Sequence, residues 1–414
     1  MRRAALIAFV LFLPLLAWAA GPCSTTGTGS ALKKAADGLG ARDWCVFAAT
    51  AGSVAAAYTL PNGEGFESCN GQSSQHGIIT DLDNLGWWPG TVTGQGHIAF
   101  SGSPHGGETI AAFYNEATNT WSSKSTRLAC GGSGCANAHL STPGKYPTGS
   151  SCCNAHGYDT NAVDPATGDL YSLRGNPSSR TMERWGWEDD TWNTEPTPPE
   201  TFSGSGGDRA MVYFPSFSGG GVNGAFVFST GNGNWHAFDP DTDTYTTSFG
   251  GLTCQYSGER MMEYNPVHDI AFHMCGSTGS NSPQSYKIEP DGTVTAYPSD
   301  SIRYAPGGAA VAAEAVDGNF IIYSCRDGAT WWEFDPTGSG SYNQIAHSMP
   351  SPVESSNCRD SPASVAIPEY NVILYVQSNR STTPNSHWIF LYRHATHTPS
   401  DDHPPPPPEN VEAQ

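Results

Sequence analysis

The sequence predicts an all-β fold, a single β-propeller, because two hairpin-turn patterns recur about every 50 residues. The first pattern follows a short apolar strand, and it occurs at Asp164-Pro165, Phe214-Pro215, Asn265-Pro266, Val316-Asp317 and Ile367-Pro368. The second joins an aromatic or aliphatic residue to a polar turn, and it occurs at Tyr114-Asn115, Trp187-Glu188, Phe238-Asp239-Pro240, Ile288-Glu289-Pro290 and Phe334-Asp335-Pro336. Two hairpins per repeat need four strands, which we call A to D, and such a repeat is a propeller blade.

The repeat predicts six four-stranded blades, with seven as the alternative if residues 40–95 contain another blade. The predicted bounds are 75–128, 156–196, 208–250, 259–298, 304–347 and a sixth blade that begins at Asp360. The sixth blade shows three strands and ends near Arg393, so we expect residues 42–60 to supply its fourth strand. An N-terminal strand would thus close the ring and remove exposed sheet edges, which promote aggregation.

The ends of the chain are expected to lie outside the propeller. Residues 1–19 have a charged start, a short apolar run and an A-x-A site, which is typical of a secretory signal peptide. We assign 20–74 to an N-terminal segment with the ring-closing strand, 75–397 to the propeller and 398–414 to a Pro-rich extended tail. The apolar run is too short to span a membrane. We therefore expect a secreted monomer, extracellular or periplasmic.

The charge balance and the cysteines restrict the classes of partner. The 39 acidic residues exceed the 19 basic ones and give a formal net charge of −20. Such a surface repels nucleic acids and anionic membranes, so we expect neither as a partner. The 11 cysteines favour disulfides in an exported chain, and their odd number leaves at least one outside such pairs. Cys254 with Cys275, and Cys325 with Cys358, are candidate pairs because each would join neighbouring strand ends.

An insertion at 127–155 breaks the repeat between the first two blades. It adds roughly 23 residues, and a long insertion in a compact ring is commonly functional or disordered. Its notable residues are Cys130, Cys135, His139 and Cys152-Cys153, with His156 just beyond. Cysteine and histidine suit zinc, yet this spacing matches no strong zinc pattern, so disulfide bracing is the favoured interpretation. Structural calcium or zinc stays open.

Strand direction separates two edges of the propeller. The A–B and C–D turns share one edge, the turn edge, and the B–C loops and D–A connections share the other, the loop edge. Seven arginines occur beside strand ends at the loop edge: Arg209, Arg260, Arg303 and Arg359 at strand A, and Arg174, Arg326 and Arg380 at strand B. His105, His156, Tyr158, Tyr256 and His273 fall at the same positions. A basic mouth on an acidic protein favours an anionic ligand, and guanidinium groups match carboxylates or sulfates.

A structural role for these arginines is the alternative. Each could pair with an adjacent acid and lock neighbouring blades together, as Asp208-Arg209, Glu259-Arg260 and Arg359-Asp360 would allow.

The Phe-Asp-Pro hairpins resemble kelch-type propeller repeats, as in the galactose oxidase family. This resemblance covers most of residues 75–395 and implies the fold but no activity. The copper-radical constellation of that family is not recognisable in the sequence, so oxidation is disfavoured.

The residue types at the loop edge resemble those of secreted propeller polysaccharide lyases of the ulvan-lyase kind. The resemblance implies a catalytic set of His139, His156, Tyr256 and Arg260 acting on an anionic, uronate-containing polysaccharide. The substrate-binding residues would be His105, Tyr158, Arg174, Arg209, Arg303, Arg326, Arg359 and Arg380.

β-Elimination accounts for this choice of residues. A cation must neutralise the uronate carboxylate before the proton next to it can leave, and arginine supplies it. Histidine and tyrosine then move the protons, and no cofactor is required. Two other functions stay open: a non-catalytic propeller that binds anionic glycans or a surface partner, and a glycoside hydrolase. A hydrolase would use paired carboxylates, for which Asp159, Asp208, Glu259 and Asp360 are candidates at the same edge.

Overall fold

The computed structural model describes residues 21–47, 81–88, 97–103, 110–123, 161–176, 179–186, 188, 192–194, 196, 210–219, 224–229, 234–246, 248–251, 260–275, 284–298, 309–324, 330–345, 363–379 and 386–394. Within these ranges no helix is both long and apolar enough to cross a membrane.

The described residues form six four-stranded antiparallel sheets, and the first three follow the chain in simple up-and-down order. Sheet 1 consists of β2 (Asp81–Trp88), β3 (His97–Ser103), β4 (Ile110–Asn115) and β5 (Thr120–Ser123). Sheet 2 consists of β6 (Asn161–Val163), β7 (Leu170–Asn176), β8 (Ser179–Trp185) and β9 (Trp192–Thr194). Sheet 3 consists of β10 (Met211–Phe214), β11 (Ala225–Ser229), β12 (Trp235–Asp239) and β13 (Thr244–Tyr245).

The second half of the chain repeats this pattern until the last strand. Sheet 4 consists of β14 (Arg260–Asn265), β15 (Ile270–Cys275), β16 (Gln284–Ile288) and β17 (Val294–Ala296). Sheet 5 consists of β18 (Ala309–Ala313), β19 (Phe320–Ser324), β20 (Thr330–Asp335) and β21 (Ser341–Ile345). Sheet 6 consists of β22 (Ala363–Ile367), β23 (Val372–Asn379), β24 (Ser386–Arg393) and the N-terminal β1 (Asp43–Val46).

The first strands of the sheets form a closed cycle of neighbours. β2 lies against β6, β6 against β10, β10 against β14, β14 against β18, β18 against β22, and β22 returns to β2. Radial repetition of four-stranded sheets in this way is the architecture of a β-propeller. The predicted fold class is confirmed, including the closing N-terminal strand. Residues 48–80 and 89–96, which the seven-blade alternative would need, lie outside the described residues.

The inner strands are apolar because sheets cover them on both faces. Every residue of Ala225–Ser229 and of Ile270–Cys275 is buried. Between sheets 4 and 5 the ring of Phe272 lies 4.7 Å from Phe320 and 4.9 Å from Phe334, measured between centroids. Burial of one such side chain contributes about 2–3 kcal/mol, so the aromatic layers between sheets supply much of the stability.

The turn edge has the chemistry that the sequence predicts. Asp164 accepts hydrogen bonds from the amide of Ala166 at 2.8 Å and the hydroxyl of Thr167 at 3.0 Å. In a C–D turn, Asp239 accepts from the amide of Asp241 at 2.9 Å and the hydroxyl of Thr242 at 2.8 Å. Short Asp and Asn side chains favour turns because they bond backbone groups two or three residues further on.

Residues 21–47 form an N-terminal segment with two features that were not predicted. Helix α1 (Ala31–Asp37) begins at Ser30, whose hydroxyl caps the amide of Lys33 at 3.0 Å. A disulfide joins Cys23 to Cys45, a residue of β1.

The two predicted disulfides concern residues that the structure describes only in part. Cys275 is disulfide-bonded, and its partner lies outside the described residues, so the pairing with Cys254 stays a prediction. Cys325 and Cys358 lie outside the described residues, as do the signal peptide at 1–19 and the tail at 398–414. The domain bounds therefore also stay predictions.

Candidate functional site at the loop edge

The structure places Arg260 at the loop edge of sheet 4. Arg260 is the first residue of β14, and it stands opposite Cys275, the last residue of β15. Cys275 is in turn opposite Gln284, the first residue of β16. This backbone position agrees with the one that the sequence predicts for Arg260.

Arg174 occupies the same edge two sheets away. It lies in β7 opposite Thr181 of β8, and β7 ends two residues later at Asn176. Sheet 3 separates the sheets that carry Arg174 and Arg260.

The other predicted site residues lie outside the described residues: His105, His139, His156, Tyr158, Arg209, Tyr256, Arg303, Arg326, Arg359 and Arg380. Three of them directly adjoin or closely follow described strand ends in the sequence. Arg209 precedes Ala210, whose carbonyl accepts from the amide of Ser229 at 2.9 Å at the loop edge of sheet 3. Arg380 directly follows Asn379, the end of β23, and Arg326 comes two residues after Ser324, the end of β19. The catalytic and substrate-binding roles of the whole set stay predictions.

The wall between sheets 3 and 4 is packed with aromatic side chains. Trp235, the first residue of β12, is fully buried, and its ring lies 5.6 Å from His273 and 5.2 Å from Tyr286 between centroids. The hydroxyl of Tyr286 donates to Gln284 Oε1 at 2.8 Å. The loop edge at which β14 begins with Arg260 is thus supported by closely packed aromatic side chains.

His273 is a core residue, although the sequence placed it with the loop-edge histidines. Its side chain is fully buried between Trp235 and Tyr286. It opposes Met262 and Tyr286 in the middle of sheet 4, so its ring is not available to a ligand at the mouth.

Acids at the turn edge serve the fold. Burial raises the pKa of Asp164 even though its turn donates hydrogen bonds to it. The amide of Thr293 lowers the pKa of the exposed Asp291. Asn265, fully buried, donates to the carbonyl of Gly318 at 2.6 Å and ties the turn of sheet 4 to that of sheet 5. Asp164, Asp239 and Asp291 thus accept hydrogen bonds within their own turns, which favours the loop edge as the candidate site.

A polar cluster at the turn edge of sheets 5 and 6 was not predicted. Glu314, 2% exposed, directly follows the first strand of sheet 5, and its Oε2 accepts from the amides of Val316 and Asp317 at 2.8 and 2.9 Å. Burial raises the pKa of Glu314 to about 8, and the neighbouring Asp317 adds to this rise. Close by, His394 Nε2 lies 3.0 Å from Glu333 Oε1. His394 is 61 residues from Glu333, so only the packing of sheet 6 against sheet 5 adds it to the cluster.

Among the described residues no group of three or more His, Cys, Asp or Glu side chains could hold a metal ion. The insertion at 127–155, to which the zinc alternative refers, lies outside the described residues.

Comparison with known proteins assigns the chain to no family. No family model matches it, and no relative was found among curated proteins. Among solved structures it is similar to a protein of unknown function from Bacteroides thetaiotaomicron, with 12% identity over 76% of this chain and 70% of that one and a TM-score of 0.47. It is similar to AofleA from Arthrobotrys oligospora, with 11% identity over 91% of each chain and a TM-score of 0.46. It is also similar to TolB from Acinetobacter baumannii, with 12% identity over 66% of this chain and 57% of that one and a TM-score of 0.40. The kelch-type and ulvan-lyase resemblances stay predictions.

Proposed function

We propose that the chain binds an anionic, uronate-containing polysaccharide at the loop edge and cleaves it by β-elimination. The observation that carries the proposal is the position of Arg260 and Arg174 at this edge of a strongly acidic chain. Positive charge concentrated on one side of an acidic body attracts and orients an anionic polymer. The export that this function requires is proposed with it, and the Cys23–Cys45 disulfide fits an oxidising compartment.

The proposed reaction needs three roles. Arg260 pairs with the uronate carboxylate and stabilises the negative charge that develops when the neighbouring proton leaves. A neutral His156 or a deprotonated Tyr256 takes that proton, and His139 or the tyrosine donates one to the departing oxygen. The C–O bond breaks, a C=C bond forms, and the new chain end is an unsaturated uronyl group. Neither water nor an enzyme nucleophile takes part.

The unsaturated end absorbs ultraviolet light, which provides the test. The purified protein is incubated with ulvan, alginate, pectate and glycosaminoglycans, each with and without calcium. We expect absorbance to rise with at least one polymer. No rise with any of them contradicts a lyase. Saturated products identify a hydrolase, and tight retention of a polymer without any product identifies a non-catalytic binding module.

Two substitutions separate the catalytic interpretation from a structural one. We expect His156→Ala and Arg260→Ala each to lower activity at least about 100-fold at unchanged melting temperature, since removing one transition-state interaction costs that much. Lys287→Gln is the matched control, because Lys287 pairs with Glu289 at 2.5 Å on the strand surface of sheet 4 and lies away from the loop edge. A large loss of stability in Arg260→Ala would instead show an arginine that ties neighbouring blades together.

A further inference from the structure

The strand that closes the ring belongs to a small disulfide-linked unit, which we call the latch (residues 21–47). The latch begins with residues that run beside β1: the amide of Val46 donates to the carbonyl of Gly21 at 3.0 Å, and the amide of Cys23 donates to the carbonyl of Val46 at 2.9 Å. The disulfide from Cys23 to Cys45 joins the same two segments covalently. Both ends of the latch are therefore fastened to each other as well as to the propeller.

Aromatic side chains of the latch contact sheets on both sides of the closure. Trp44 stacks on Tyr392 of sheet 6 at 3.9 Å between centroids and lies 4.3 Å from Trp331 of sheet 5. Phe47 meets Tyr114 of sheet 1 edge to face at 5.7 Å. The latch thus bridges the seam between the last sheet and the first.

Polar contacts reinforce the same seam. The carboxylate of Glu116, in the C–D turn of sheet 1, accepts hydrogen bonds from Ser30 of the latch and Tyr370 of sheet 6. Arg393 donates to the carbonyl of Leu39 at 3.0 Å and to the carbonyl of Tyr370 at 2.9 Å. The Glu116 contacts therefore join the latch, sheet 1 and sheet 6, and Arg393 fastens the latch to sheet 6.

We propose that the latch is redox-sensitive: the Cys23–Cys45 disulfide keeps the closing strand in place, and its reduction opens the ring at the seam between sheets 6 and 1. When β1 detaches with the disulfide intact, residues 23–45 remain a cross-linked loop. Such a loop loses less conformational entropy when the strand pairs again than an uncrosslinked chain would. Reduction removes the cross-link between two cysteines that are 22 positions apart in the sequence, so reclosing must order a freer chain. The remaining sheets keep all their own contacts.

The chemical step is thiol–disulfide exchange with a dithiol. Its thiolate attacks the sulfur of Cys23, which is half-buried, whereas Cys45 is only 5% exposed. The S–S bond breaks, Cys45 leaves as a thiolate and takes up a proton, and a mixed disulfide forms at Cys23. The second thiol of the reductant then displaces Cys23, which also becomes a thiol. Two electrons and two protons have passed from the dithiol, which is now a disulfide.

Hydrogen exchange of the full chain, followed by mass spectrometry, tests the latch. In the double variant Cys23→Ser and Cys45→Ser we expect amides of 43–47 to exchange about 100-fold faster, from the loop-closure entropy of this disulfide. Amides of β11 and β15 should change less than about threefold, because those strands belong to sheets 3 and 4, which do not adjoin the seam. Lys33→Gln is the control, since it removes only an exposed pair with Asp37 within α1.

Two outcomes would overturn the proposal. Unchanged exchange at 43–47 would show that the disulfide does not hold the closing strand, and equal acceleration in all sheets would show that it stabilises the whole fold. If the double variant does not fold, the wild-type protein is reduced with limiting dithiol. Peptide mapping then identifies the conditions under which only the Cys23–Cys45 disulfide is reduced. Under those conditions the protein must show the local acceleration at 43–47, and reoxidation must reverse it.

Discussion

Replacing Glu314 with glutamine should remove a pH dependence from the stability of the fold. Glu314 is 2% exposed, and its Oε2 accepts from the amides of Val316 and Asp317. Burial is the main reason that its pKa rises to about 8, and a hydrogen bond with the side chain of Asp317 adds to this rise. A glutamine keeps the acceptor for both amides and has no charge to bury.

The sign of the effect follows from the rise in pKa. Between about pH 4.5 and about pH 8, folded Glu314 keeps a proton that the unfolded chain releases, so the free energy of unfolding falls as pH rises through this window and levels off above it. One pKa unit corresponds to about 1.4 kcal/mol, so the rise from about 4.5 to about 8 can change the free energy of unfolding by at most about 5 kcal/mol. We expect about half of it, since a charged side chain can draw in water. Asp317 has a lowered pKa, mainly because of its hydrogen bond with the Glu314 side chain, and it is charged at both pH values used below, so it adds no pH dependence between them.

Urea unfolding at about pH 5 and about pH 9 measures the effect. Relative to wild type, Glu314→Gln should be about 2–3 kcal/mol more stable at the higher pH and nearly unchanged at the lower. Asp335→Asn is the matched control in the other hairpin of sheet 5, where Asp335 accepts from the amide of Thr337 at 2.8 Å. A constant difference between Glu314→Gln and wild type at both pH values would refute the reasoning.

Two further predictions concern contacts between sheets. Trp44→Ala should lower the free energy of unfolding by about 3 kcal/mol, because the stack on Tyr392 is lost and a cavity remains. Trp44→Phe should lower it by about half as much. Urea unfolding measures both variants, and equal losses would contradict the role of the stack. Asn265→Ala and Asn265→Asp should each lower the free energy of unfolding by about 2 kcal/mol, since both remove the donor to the carbonyl of Gly318 in the neighbouring sheet. Thermal unfolding tests this, and a wild-type melting temperature in either variant would show that the hydrogen bond is dispensable.

Much of the fold could be predicted because its signals are local. Turns such as Asp239-Pro240 and Asn265-Pro266 contain the residues that bond their own backbone, so the hairpins are readable from short stretches. The closing strand was predictable as a missing fourth strand within 42–60. Its exact position was not, because β1 is selected by the fit of Trp44 against Tyr392, a residue distant in sequence. Helix α1 spans seven residues, too few for a helical repeat to be recognised.

The position of the candidate site could be predicted from the sequence better than its mechanism. Strand direction alone put Arg260 and Arg174 at the loop edge. The burial of His273 was not readable, because every residue of β15 is buried and the strand shows no alternation of polar and apolar positions. The cluster around Glu314 and Glu333 left no sequence signal either, since His394, which follows β24, reaches Glu333 only when sheets 5 and 6 come together.

The pairing of β1 with β24 also sets an order on folding. The two strands are separated by about 350 residues, and Asp43 meets Arg393 only after nearly the whole propeller has been made. Bringing such distant segments together is slow because a long loop must close before its contacts form. Until then the free side of β24 is an unpaired strand edge, the kind of surface on which another chain can assemble. The last sheet is therefore the point at which a newly made molecule is most exposed to misassembly, and the arrival of its own N-terminus ends that exposure.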